Sequence, residues 1–192
     1  MQELTPYQHD SKAQIMSYIC IFDVFMCLWS YIQTILIGSS VQKMSLKSHY
    51  PYSHLTIKQC EKCSHIKVPR VSHCSTCGKC IYKLDHHCIW TQTCIGYTNQ
   101  RPFYLFTLYM TIGVLQFWYS TARVVSKLSE TCNFFGAFEP GVYILWVITC
   151  ISAGIVGIMI ITLWLGHTLM IATNFTTLDS LKKKTMCPIP LL

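Results

Sequence analysis

The sequence predicts an all-α integral membrane protein, with three transmembrane helices and a cytosolic, cysteine-rich, two-zinc domain inserted between the first and the second. Three observations carry this reading. The 192-residue chain is 52% hydrophobic and only 12% charged, too apolar for an ordinary soluble domain of its size. Three apolar stretches, Gln14 to Ile37, Phe103 to Val125 and Val142 to Ala172, are each long enough, at about 1.5 Å per helical residue, to cross a hydrocarbon layer of about 30 Å. Between the first two lie seven of the twelve cysteines, Cys60, Cys63, Cys74, Cys77, Cys80, Cys88 and Cys94, interleaved with His65, His73, His86 and His87.

Residues 1–41 comprise a short polar segment and the first span, bracketed by Lys12 and Lys43 as interfacial anchors. The span exceeds the apolar length of a signal peptide and has no small-residue cleavage site behind it, so it reads as a retained anchor. Residues 42–102 form the cysteine-rich domain, entered through a polar linker with Pro51 and broken by Pro69, Gly78 and Gly96. With no apolar core of its own, a segment of about 40 residues needs a metal or disulfides to fold. Paired cysteines two residues apart, mixed with histidines, are metal-ligand spacing in a reducing compartment, not a secreted disulfide framework. Residues 103–172 hold the second and third spans around a short turn, Ser126 to Gly141, and residues 173–192 are a polar tail. Asp23 and Gln116 place polar groups inside spans: Asp23 is a functional candidate whose position a neighbouring helix or a protonated state also explains, Gln116 reads as a helix-to-helix hydrogen bond, and His167 falls near the interface end of the third span.

Charge sets the orientation. Residues 42–102 carry nine Lys or Arg against Glu61 and Asp85, so this segment alone is +7, equal to the net charge of the whole chain. The positive-inside rule puts it and the tail on the cytosolic side and the turn on the luminal or exterior side. Asn174-Phe-Thr176 is a glycosylation sequon that this orientation leaves on the cytosolic side, where it is unused.

Tetrahedral zinc takes four thiolate or imidazole ligands, so the window from Cys60 to Cys94 can serve two ions. Two Cys3His sites use six of the seven cysteines and leave one free thiol. Cys88 is the best choice for it, because Asp85, His86 and His87 directly precede it and supply a base and a carboxylate to orient that base. On spacing alone, a Cys–His pair beside a zinc site more commonly reads as further ligands.

The full pattern is more specific. Cys60-Glu-Lys-Cys63, Lys67-Val-Pro69-Arg70-Val-Ser-His73-Cys74-Ser-Thr-Cys77-Gly-Lys-Cys80, Asp85-His86-His87-Cys88-Ile-Trp90 and Cys94-Ile-Gly96-Tyr-Thr-Asn99 together resemble the DHHC cysteine-rich domain of protein S-acyltransferases. Thr176-Thr177-Leu178-Asp179 is similar to the family's TTxE motif, with aspartate in place of glutamate. The resemblance implies that Cys60, Cys63, His73 and Cys80 bind one zinc ion and Cys74, Cys77, His87 and Cys94 the other. It implies that Cys88 is the nucleophile, His86 the general base and Asp85 its orienting residue, with palmitoyl-coenzyme A as acyl donor and cysteines of membrane-associated proteins as acceptors. Lys67 and Arg70, inside the motif, are candidates for the phosphates of the donor, while Trp90, Phe103 and Tyr104 are candidates for the acyl path or, equally, for an aromatic belt at the interface. The implied setting is a Golgi or endoplasmic reticulum membrane, or the plasma membrane. No nucleic-acid partner is expected, because three spans tether the basic domain.

The sequence departs from the family pattern in having one span before the zinc domain, where four spans in all are usual. Ile89 replaces a common proline, and Gln92 and Thr93 replace a common pair of asparagines. The chain then reads as a shortened member, as part of a longer chain, or as a form in which a helper subunit or oligomer supplies the missing helix. The alternative functional reading is a catalytically impaired membrane zinc adaptor, and a cross-brace ubiquitin ligase fits the Asp85 to Cys88 run poorly. Cys187, beside Lys182, Lys183 and Lys184, is a candidate for acylation.

Overall fold

The computed structural model describes residues 11–39, 58–131 and 139–178. Asp179 of the TTxE-like motif, Cys187, most of the linker before Lys58 and the centre of the Ser126–Gly141 turn lie outside the described residues. The element order is α1 (Ser11–Ile37), β1 (Lys58–Gln59), β2 (Ile66–Lys67), β3 (Val71–Cys74), β4 (Lys79–Tyr82), β5 (His86–Cys88), β6 (Thr93–Ile95), α2 (Gln100–Thr131) and α3 (Pro140–Thr173). These elements form two compact units, one from Met1–Trp29 and Phe106–Trp164, the other from Ser30–Leu105 and Leu165–Leu192.

The first unit is helical, and its apolar side chains face outward. Phe22, Leu145 and Ile158 are 61%, 65% and 70% exposed, whereas Asp23, Thr107 and Thr111 are buried. That is the reverse of a water-soluble bundle and suits a hydrocarbon surround, where the backbone is satisfied within each helix and apolar side chains meet lipid. Small residues let the helices approach. A Cβ at Gly157 would lie 2.7 Å from Val114 Cγ1, and one at Gly113 would lie 3.3 Å from Asp23 Oδ2. A cavity of about 360 Å³ remains among the helices, lined by Asp23, Cys27, Tyr109, Gly113, Phe117 and Val156 among others.

Two helical stretches, Gln14–Ile37 and Pro140–Thr173, are long and apolar enough to cross a membrane. The expected third, in α2, has the length, at 32 residues, but not the apolarity. Thr107, Thr111, Gln116, Ser120 and Thr121 dilute its middle.

The second unit corrects the all-α expectation. Its cysteine-rich segment folds into three antiparallel two-stranded hairpins, β1–β2, β3–β4 and β5–β6. The strands are two to four residues long, too short to show the alternating pattern that marks a strand in sequence. Their register is set where the ligands must meet: His73 lies opposite Cys80 and His87 opposite Cys94. The apolar content is slight. One cluster joins Val68 and Val71 to Cys60 and Cys80, and the other joins Ile81 and Leu84 to Cys74 and Cys94.

Helix ends lock this unit together. Gly38, with a φ of 52°, closes α1 by donating to the Thr34 carbonyl. Asn99, fully buried, precedes α2; its amide nitrogen donates to the carbonyls of Thr34 and Cys94 and its Oδ1 accepts from the Gly96 N–H. Gly96 is the residue the close approach demands, since a Cβ there would sit 2.6 Å from both Ile81 Cγ2 and Ser39 Oγ and 3.0 Å from the Tyr82 carbonyl. The C-terminus of α3 ends in a Schellman turn, with Asn174 at φ 53° and the Phe175 N–H reaching back to the Met170 carbonyl. Arg70 donates to the Asn174 carbonyl at 2.8 Å and Lys83 to its Oδ1 at 2.9 Å, two cations where the helix dipole favours them.

Candidate functional site

A strand turns successive side chains to opposite faces, and the hairpins use this to sort ligands. His73 and Cys74 are adjacent in β3, yet His73 joins Cys60, Cys63 and Cys80 while Cys74 joins Cys77, His87 and Cys94. Directly after the second cysteine of the Cys60/Cys63 and Cys74/Cys77 pairs the backbone bends the left-handed way, at Ser64 and Gly78, with φ of 57° and 61°.

Within the first quartet, Cys60 Sγ lies 3.6 Å from His73 Nδ1, Cys63 Sγ 3.4 Å from Cys80 Sγ, and Cys80 Sγ 3.9 Å from His73 Nδ1. In the second, His87 Nδ1 lies 3.9, 3.3 and 3.7 Å from the sulfurs of Cys74, Cys77 and Cys94, and the last two sulfurs are 3.3 Å apart. Zinc bonded at about 2.3 Å to sulfur and about 2.0–2.1 Å to nitrogen separates tetrahedral ligand atoms by roughly 3.5–3.8 Å. Both quartets therefore have the dimensions and donor chemistry of a closed four-ligand metal site. Electrostatics point the same way. Burial, then the neighbouring Cys63 and Cys60, push the Cys80 thiol up to about 12, and burial followed by Cys77 and Cys74 pushes Cys94 up as well. Three thiolates this close need a cation among them. Among the described residues no cysteine forms a disulfide.

Cys88 belongs to neither quartet. In β5 the two-residue period puts His86 and Cys88 on one face and the ligand His87 on the other. Cys88 is 5% exposed and Asp85 3% exposed. Asp85 Oδ2 lies 3.0 Å from His86 Nδ1, and its Oδ1 accepts the Thr177 N–H at 2.7 Å. Burial works against each charge, and the partners overcome it. For Cys88, burial raises the thiol, but His86 and then Thr91 and the backbone at Thr91 and Trp90 bring it down to about 7. Burial lowers His86, while Asp85 and Cys88 lift it to about 9. Burial raises Asp85, while His86 and Thr177 hold it at about 2. The arrangement can keep a thiolate beside an imidazolium at neutral pH.

Lys67 is exposed in β2, and Arg70 is hydrogen-bonded to the end of α3. Phe103 is buried at 1% exposure, its ring edge-on to His86 with centroids 5.5 Å apart, while Trp90 stands exposed beyond Cys88. Tyr104 hydroxyl accepts from Thr168 at 3.3 Å. His167 of α3, which the sequence placed only near the interface end of the third span, is 1% exposed, with Nε2 3.7 Å from Asp85 Oδ2. Its distance along the chain left no local signal beyond a lone histidine late in an apolar run.

Two thiol–imidazole quartets with the dimensions of metal sites, on short hairpins that fall in sequence between α1 and α2, define a cysteine-rich module of the metal-binding type, with a buried thiol outside both quartets. The chain belongs to the DHHC palmitoyltransferase family, whose model matches residues 53–184. It is 31% identical over 136 residues to "Probable protein S-acyltransferase 13" of Arabidopsis thaliana, covering 68% of this chain and 43% of that one. It is 32% identical over 127 residues to "Palmitoyltransferase spe-10" of Caenorhabditis elegans, covering 66% and 36%. It is 31% identical over 132 residues to "Palmitoyltransferase ZDHHC3" of Rattus norvegicus, covering 67% and 44%. The chain thus spans less than half the length of these relatives.

Proposed function

We propose that this protein is a protein S-acyltransferase in which Cys88 is the nucleophile, His86 the general base and Asp85 the residue that orients it. The observation that carries the reading is the exclusion of Cys88 from both metal quartets together with its pairing to His86. In the first half-reaction the Cys88 thiolate attacks the thioester carbonyl of a long-chain acyl-coenzyme A. The carbon–sulfur bond to coenzyme A breaks, its thiolate leaves with the proton held by His86, and an acyl-Cys88 thioester remains. In the second, His86 takes the proton of an acceptor cysteine, whose sulfur attacks the acyl carbon and expels the Cys88 thiolate. Thioester replaces thioester, so the site needs chiefly a thiolate, a correctly placed base and close approach of the reactants.

Zinc is the ion that fits both quartets, and it would act there as a structural cross-link that holds β5, and with it His86 and Cys88, in place. The outward apolar helices support a membrane location, with α2 as a third crossing and the +7 segment on the cytosolic side. The apolar cavity in the helical unit has the chemistry of an acyl-chain receptor, in which each buried methylene is worth about 0.8 kcal/mol. Lys67, exposed in β2, and Arg70 have the charge that suits the phosphates of coenzyme A. Membrane-associated proteins with cytosolic cysteines are the acceptor class, and a helper subunit or second copy is a fitting source of further helices.

Purified protein incubated with labelled palmitoyl-coenzyme A tests the reading. The expected result is a hydroxylamine-labile label on wild-type protein that is lost in Cys88→Ala while both zinc ions are retained. An unlabelled wild type, or label that survives Cys88→Ala, sinks it.

A further inference from the structure

His167 is a buried imidazole with no conventional hydrogen bond at either ring nitrogen among the described residues. A neutral imidazole has one N–H donor and one acceptor, and leaving such groups without partners in the interior is unfavourable. A site that needed only volume would be filled by leucine or phenylalanine without that cost. Its surroundings indicate what the nitrogen is for. The ring lies edge-on to Phe103, with centroids 5.0 Å apart, and 5.9 Å from the ring of His86. Its Nε2 is 3.7 Å from Oδ2 of Asp85, the same oxygen that receives His86 at 3.0 Å.

Asp85 completes the argument. An ionised carboxylate has about four acceptor positions. Oδ1 is met by the Thr177 N–H and Oδ2 by His86. His167 occupies the remaining approach to Oδ2 from α3. We propose that His167 is a positioning residue for acyl transfer: its Nε2–H restrains the Asp85 carboxylate from the α3 side and so keeps His86 directed at Cys88. At 3.7 Å the contact exceeds ordinary hydrogen-bond length. Hydrogen bonds of catalytic sites are commonly long before substrate binds and tighten in the complex, and this one closes when the donor is bound. The role rests on the acyl-transfer reading for its consequence, and on the geometry alone for its existence.

The test compares His167→Gln, His167→Leu and His167→Ala in the purified full chain. Two rates are read: formation of the acyl adduct from palmitoyl-coenzyme A, and alkylation of Cys88 by iodoacetamide followed by mass spectrometry. Glutamine keeps an N–H at similar reach and is expected to stay within about threefold of wild type. Leucine and alanine are expected to slow both rates about 10- to 100-fold, the cost of a misdirected reacting group, with little change in half-saturating palmitoyl-coenzyme A and with two zinc ions retained. Leucine equal to wild type would reduce His167 to packing and overturn the proposal. So would loss of zinc in all three variants, a third bound metal ion in wild type, or a weakened half-saturation with unchanged rate. A wild type that forms no acyl adduct but keeps the same order in alkylation would defeat the acyltransferase reading and leave the positioning role standing.

Discussion

Asn99 and Thr177 show how much of the site depends on single polar groups. Asn99 has no exposed surface, and its amide makes three hydrogen bonds that join the end of α1, the start of α2 and β6. Asn99→Asp exchanges two donors for a carboxylate set against the carbonyls of Thr34 and Cys94. The expected cost is about 1–3 kcal/mol or more, visible as a lower midpoint for thermal unfolding in detergent micelles. Thr177 serves Asp85 through its hydroxyl and its backbone N–H, so Thr177→Ala, which removes the hydroxyl alone, should slow formation of the acyl adduct only modestly. Thr177→Pro, which removes the N–H as well, should slow it about 10-fold or more, measured with labelled palmitoyl-coenzyme A. The residues that converge on the thiol divide by how local they are. Asp85, His86 and Cys88 are consecutive enough to be read as a group, because side-chain chemistry and a period of two suffice. His167 and the Thr177 N–H come from more than eighty residues away in sequence, a proximity that only tertiary folding creates. No ligand count could reveal them.

At the scale of elements, the hairpins exist because of the quartets. Strands of two to four residues with so little apolar surface between them lack the cohesion to persist alone. Each quartet takes ligands from opposite strands of one hairpin, so a metal ion held there would bolt the ladder together. His73→Ala opens the first quartet and leaves the second intact, so bound zinc is expected to fall from two ions to one per chain by elemental analysis. Proteolysis should then become faster in the Lys58–Tyr82 region. The ligand spacing was plain in the sequence, and the grouping that the family resemblance implied is the grouping that the fold brings together. The strands were not legible, since metal geometry and not side-chain alternation dictates their backbone. The helices were legible by length. The apolarity of α2 was overestimated because its threonines and serines are scattered and not clustered.

Across the whole molecule, cationic and apolar surfaces are segregated along the sequence, with +7 on residues 42–102 and outward-facing aliphatic side chains on the helices. The orientation proposed from that asymmetry keeps Asn174 from the glycosylation machinery. Expression in a glycosylating cell should therefore give a chain whose gel mobility does not change with endoglycosidase, while a sequon introduced into the turn between α2 and α3 should acquire a glycan. Sugar on Asn174 would invert the topology. The alternation by which His73 and Cys74 serve different ions, and His86 and His87 serve the thiol and an ion, also bears on how such a protein can change over generations. Losing or gaining one codon inside β3 or β5 would hand every downstream donor to the wrong neighbour at once. The stretch is thus held to its length as well as to its donors and to packed positions such as Gly96 and Asn99, which leaves exposed positions such as Ile89, Trp90 and Gln92 with the most room to vary.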